Sequence, residues 1–132
     1  MESPVPYTFT RLIPNIDIDA ADARARAALG DAGFGVLTEI DVAATMKKKL
    51  DRDMPAYRIL GACNPTMAWE AIALEPRVGA MLPCNVILRA VDGGIEVSAV
   101  DPSASMAGID NAELKGVAGE VGAILEAVVA AI

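Results

Sequence analysis

Residues Cys84–Val100 read CNVILRAVDGGIEVSAV. Two extended, β-branched segments flank Asp92-Gly93-Gly94, a hairpin signal because glycine reaches the positive φ that tight turns between strands require. A strand within Gly79–Val91 therefore pairs antiparallel with one over Ile95–Val100. That hairpin excludes a purely parallel sheet, and the rest of the chain is read around it.

Upstream, Tyr7–Ile13 alternates as a strand. Asp17 or Asp19 caps a helix whose Ala21, Ala25, Ala28 and Leu29 share one face, and Gly33 stops it. Phe34–Glu39 is a second strand. Asp41 caps a short helix over Val42–Leu50, and Pro55 ends the linker that follows. Tyr57–Cys63 is the third strand. Asn64 then caps a helix with Pro65 at its first position, where a missing N–H costs nothing. Glu75-Pro76 ends that helix near Leu74. Downstream, Asp101-Pro102 opens a loop or helical turn. Asp110 with Glu113 forms a capping box for a last helix. Its stripe is Leu114, Val117, Val121, Ile124, Val128 and Ile132, and Gly116, Gly119 and Gly122 within it suggest close packing. The order βαβαβαββα describes an α+β fold: one mixed or largely antiparallel sheet, with helices mainly on one face.

The 132 residues suit a single domain spanning 1–132, with no internal repeat or domain boundary. Hydrophobic residues form 54% of the chain and mean hydropathy is +0.40, which argues against disorder. No apolar run is long enough to span a bilayer. The start, MESPVPYTF, lacks the basic and apolar regions of a signal peptide, so a soluble cytoplasmic protein is expected. A net charge of −7 disfavours nucleic-acid binding. Lys47-Lys48-Lys49 reads as a solvated helix face, with phosphate binding as the lesser alternative. There is no histidine, which removes His-based triads and His-ligated zinc.

The chemistry-bearing residues gather in two similar segments, GACNP and LPCN. Each of the two cysteines precedes an asparagine: Cys63-Asn64 and Cys84-Asn85. Period-two alternation puts Tyr57, Ile59, Gly61 and Cys63 on one side of their strand, and Leu82, Cys84, Val86 and Leu88 on one side of theirs. Arg58 on one strand, and Asn85 with Arg89 on the other, mark the opposite, solvent sides. On neighbouring strands, both thiols would then face the same side of the sheet. Cys63 also stands before a helix start, where N–H groups and the helix dipole favour a thiolate or an anion. Asn64 is explained as a cap. Asn85 interrupts an apolar strand, so it either ties down backbone or faces a ligand. Met67 and Trp69 read as core or interface residues.

The segments GFGVLTEIDVAATMKKKL, AYRILGACNPTMAWEAI, LPCNVIL, VSAVDP and DNAELK together resemble the domain-of-unknown-function family numbered 302. The resemblance runs from about Tyr7 into the last helix, with GACNP and LPCN as its specific part. It implies a small α+β domain that often forms homodimers, and it implies no particular activity. Met67, Trp69 and the glycines of the last helix depart from the family pattern.

Three functions remain open. The first is binding of a small molecule or anion by a pocket of Cys63, Asn64, Cys84 and Asn85. The second is thiol-dependent redox or soft-metal chemistry using Cys63 and Cys84. Twenty residues separate them, so the Cys-x-x-Cys motif is absent, and a zinc site would need further ligands. The third is a non-catalytic interaction module that forms a homodimer through its sheet or last helix. Carboxylate catalysis has less support, because Asp101 reads as a turn residue and Asp41, beside Glu39 at a strand-to-helix junction, as a cap.

Overall fold

The computed structural model describes residues 6–132. Met1–Val5, part of the start read above as unlike a signal peptide, lies outside the described residues. In chain order the elements are β1 (Thr8–Pro14), α1 (Ile18–Asp31), β2 (Gly35–Asp41), α2 (Val42–Leu50), β3 (Tyr57–Cys63) and α3 (Pro65–Leu74). A 3-10 segment at Pro76–Met81 follows, then β4 (Cys84–Val91), β5 (Gly94–Val100), α4 (Pro102–Ser105) and α5 (Ala112–Ala131). This is the order read from the sequence, with α4 as the helical turn expected after Asp101. The hairpin closes on Asp92-Gly93, with Val91 opposite Gly94 and Gly93 at φ +90°.

The sheet runs β1-β5-β4-β3-β2, and every neighbouring pair is antiparallel. Of the two sheets admitted by the sequence, mixed or largely antiparallel, the structure has the antiparallel one. One face carries the core. Leu60 and Ala62 of β3, Cys84, Val86 and Leu88 of β4, and Ile95, Val97 and Ala99 of β5 are all buried. Ala21, Ala25 and Leu29 of α1 complete this core with Leu114, Val117, Ala118, Val121, Leu125 and Val128 of α5. Burial of these side chains supplies most of each helix's stability, since short helices are marginal alone.

Asparagine and aspartate caps set the helix starts. Asp17, rather than Asp19, accepts from Ala20 N–H at 2.8 Å. Asp41 accepts from Ala44 N–H at 2.9 Å and Asn64 from Met67 N–H at 3.2 Å. The last helix starts differently from the reading above. Asn111, not Asp110, is its cap and accepts from Leu114 N–H at 2.9 Å. Both side chains can cap, and the packing of Leu114 into the core selects the register. Of the three glycines in α5, only Gly122 is in close contact. A Cβ there would sit 3.3 Å from Asp101 Oδ1 and 3.6 Å from Pro102 Cδ, whereas Gly116 and Gly119 face open space.

The face assignment of β3 is corrected by its register. Ala62 pairs with Cys84, Leu60 with Val86 and Arg58 with Leu88. Residues directly opposite share a face. Arg58, Leu60 and Ala62 therefore lie on the core side, while Tyr57, Ile59 and Gly61 lie on the other. The sequence argument failed at Arg58, which is not a solvent marker. Its guanidinium bonds Asp22 Oδ2 and Asp19 Oδ1 of α1, each at 3.0 Å. Asp22 also accepts from Arg26 Nε, and Arg26 Nη2 reaches Glu39 of β2 at 2.9 Å. An arginine can thus lie under a helix, with its stem on apolar surface and its charge paired at the rim.

Asp22 is only 8% exposed. Burial alone would raise its pKa, but hydrogen bonds from Arg26 and Arg58 outweigh that and hold the carboxyl below its usual range. A depressed carboxylate contributes stability that is fully present above the unfolded aspartate value of about 3.9 and is lost as pH falls through the folded value. Denaturant titrations should show this loss below about pH 4, and Asp22→Asn should remove that part of it. At neutral pH Asp22→Asn should cost about 3 kcal/mol, because two arginines lose their shared partner.

Candidate functional site

The two Cys-Asn segments meet where β3 runs into α3 and β4 begins. Gly61 permits the approach. Its φ is ordinary, but a Cβ would come within 2.8 Å of Pro83 Cγ and collide with Thr38 Oγ1. The glycine of GACNP is thus needed so that the proline of LPCN can lie across β3. The Leu82–Pro83 peptide is cis.

Beneath this junction, on the helix-covered side, lies a cavity of about 40 Å³. Cys63, Asn64, Met67, Ala68 and Ala71 line it from the β3–α3 segment, and Leu82, Pro83 and Cys84 from the start of β4. Phe34, Pro102, Met106 and the α5 residues Leu114, Val117, Ala118 and Val121 close it. Among the described residues, no charged one lines it.

Three of the four residues expected at the site, Cys63, Asn64 and Cys84, are brought to this cavity. Asn85 is not. It lies opposite Gly61 on the other face of the sheet and is exposed, so solvent satisfies its amide and no internal tie is required. Trp69, read above as core or interface, is 81% exposed and not core, whereas Met67 packs against the core. The residues that sequence reasoning missed are Met106 and the α5 wall. Their burial stripe was legible, but their meeting with Cys63 is a long-range contact with no local signal.

Both thiols are free. The register does not set them directly opposite each other. Cys84 faces the core opposite Ala62, and Cys63, the last residue of β3, is one residue out of step with it, though both border the cavity. Burial pushes the Cys84 thiol up to about 11, and the neighbouring Cys63 adds to the shift. Cys84 is therefore a protonated, inert thiol at neutral pH. Among the described residues, no group of three or more His, Cys, Asp or Glu side chains is placed to hold a metal ion.

The anion reading also weakens at the α3 start. Pro65 has no N–H, Asn64 Oδ1 occupies Met67 N–H, and Ala68 N–H already bonds Asn64 O at 2.9 Å. Only Thr66 N–H is left, and Thr66 is exposed and outside the cavity lining. Among the described residues, no helix is long and apolar enough to cross a membrane.

The model of the family described as Domain of unknown function DUF302 matches residues 9–132. The fold is similar to the crystal structure of an uncharacterized conserved DUF302 protein from Bacillus stearothermophilus. The TM-score is 0.89 at 22% identity, over 96% of this chain and 98% of that one. No curated protein matches the chain.

Cys63 should be alkylated in the native protein, and Cys84 only after unfolding, as peptide mass spectrometry can follow. An acid whose pKa rises on folding contributes stability below its unfolded value and loses it as pH climbs toward the folded one. Thermal stability should therefore fall between about pH 9 and 11, and Cys84→Ala should flatten that decline.

Proposed function

The chain belongs to the DUF302 family, and from that premise we propose that it binds a small molecule in the cavity joining the two Cys-Asn segments, as a cytoplasmic protein. The observation that supports this reading most is the convergence of Cys63, Asn64 and Cys84, far apart in sequence, on one cavity. Pockets lined mainly by apolar side chains with a single polar group are the usual form of small-ligand sites. The alternative use of both cysteines, in redox chemistry or soft-metal binding, has less support. Cys84 resists ionisation, and the two cysteines are not directly opposite in the sheet.

A fragment screen by amide-resolved NMR tests the binding reading. Saturable shifts should centre on Met67, Cys84 and Ala118. Ala68→Leu, which fills the cavity while keeping high helix propensity, should abolish them. Shifts that survive this substitution, or no shifts at these amides with any fragment, overturn the reading.

A homodimeric interaction module is the second reading, and one observation favours it. The apolar helix α3 turns Trp69 (81% exposed) and Ile72 (46% exposed) to solvent, while α2 has no buried residue. A nine-residue helix is marginal without packing, and tryptophan is the residue most enriched at binding hot spots. Sedimentation equilibrium should show a dimer that Trp69→Glu dissociates. A monomer at every concentration tested would exclude this reading.

A further inference from the structure

We propose that the ligand of the cavity is a compact, uncharged, apolar molecule, admitted by movement of the Met67 and Met106 side chains. This inference rests on the ligand-binding reading above and decides between the two ligand classes, neutral and anionic, that the sequence left open.

Three observations carry it. First, the walls contain no charge with which to meet an ion. An ion entering them would lose hydration with nothing to replace it, a cost far larger than a cavity of this kind can offset. Second, the backbone donors of the α3 start are largely spent, and the acceptor of the one amide side chain present is engaged. Asn64 Oδ1 accepts from Met67 N–H, and Nδ2 lies over Gly33, 3.5 Å from where a Cβ there would sit. The α3 start therefore does not supply the donors that an anion site at a helix N-terminus requires. Third, Met67 and Met106 both line the cavity, one on α3 and one just beyond α4, and Met106 is only 5% exposed. Methionine is unbranched and polarizable, so it adapts to varied apolar shapes and favours contact with aromatic rings.

The size also matters. A space of about 40 Å³ could physically hold water, but walls that are almost wholly apolar offer it few partners. Xenon, a small apolar atom, suits the space as it stands. Benzene is larger than the resting cavity and requires the methionines to shift. The two probes therefore separate the shape of the cavity from its capacity to open.

Xenon-129 NMR and benzene titration followed at the Met67 and Ala118 amides test the inference on the intact protein. Inorganic phosphate and acetate serve as anionic probes at matched ionic strength. Xenon should give a saturable shift that Ala68→Leu abolishes. Benzene should perturb the same amides, and Met106→Ala should tighten it about tenfold, the gain from burying roughly two more methylene-sized groups of probe. Phosphate and acetate should leave these amides unchanged.

If an anion shifts them while xenon and benzene do not, the apolar inference is overturned and the ligand-binding reading stands. If all four probes and the fragment screen are silent, both fall. A xenon shift that persists in Ala68→Leu also overturns the inference, and this comparison holds even if Met106→Ala fails to fold.

Discussion

The pairing of Ala62 with Cys84 is the constraint on which the rest of the structure depends. It sets which residues of β3 and β4 enter the core, since a shift of one residue would move every side chain to the other face. Leu60 and Val86 are buried because of it, and Gly61 is placed under Pro83. The same pairing sets Cys84 opposite Ala62 rather than Cys63.

The ion cluster around Asp22 and the cavity around Cys84 illustrate two ways of managing buried polarity. At one end of the core side, Arg58 reaches under α1 and is satisfied by Asp22 and Asp19. Every charge there has a partner, so the cluster holds α1, β2 and β3 together without needing a ligand. At the other end, around Cys84, the charge is removed instead. The thiol stays protonated, the first N–H of α3 is deleted by Pro65, and the third is capped by Asn64. What remains is an apolar space bounded by flexible sulfur-containing side chains.

The exposed apolar residues fall outside both regions. Trp69 and Ile72 project from the outer side of α3, whose inner side contributes Met67, Ala68 and Ala71 to the cavity. A partner seated on α3 would therefore press on one wall of the cavity, so association and ligand binding would share a helix. Coupling between the two would need a differential contact made through that helix.

Several features were determined by the sequence alone. Asp92-Gly93 specifies the hairpin because few residues other than glycine reach the required φ, and Asn64-Pro65 specifies a helix start because the cap and the missing N–H are local chemistry. The stripe of α5 was legible for the same reason, since periodicity is carried by neighbouring residues. Two kinds of feature were decided only by tertiary structure. The face occupied by Arg58 depended on Asp22 in another helix, and Asn111 prevailed over Asp110 because the burial of Leu114 selected the register. The cavity needed Met106 and α5 to close over GACNP and LPCN, which no spacing announces. Capping and turn formation are settled within a few residues. Strand facing and cavity closure are settled by which distant side chain satisfies a charge or fills a space.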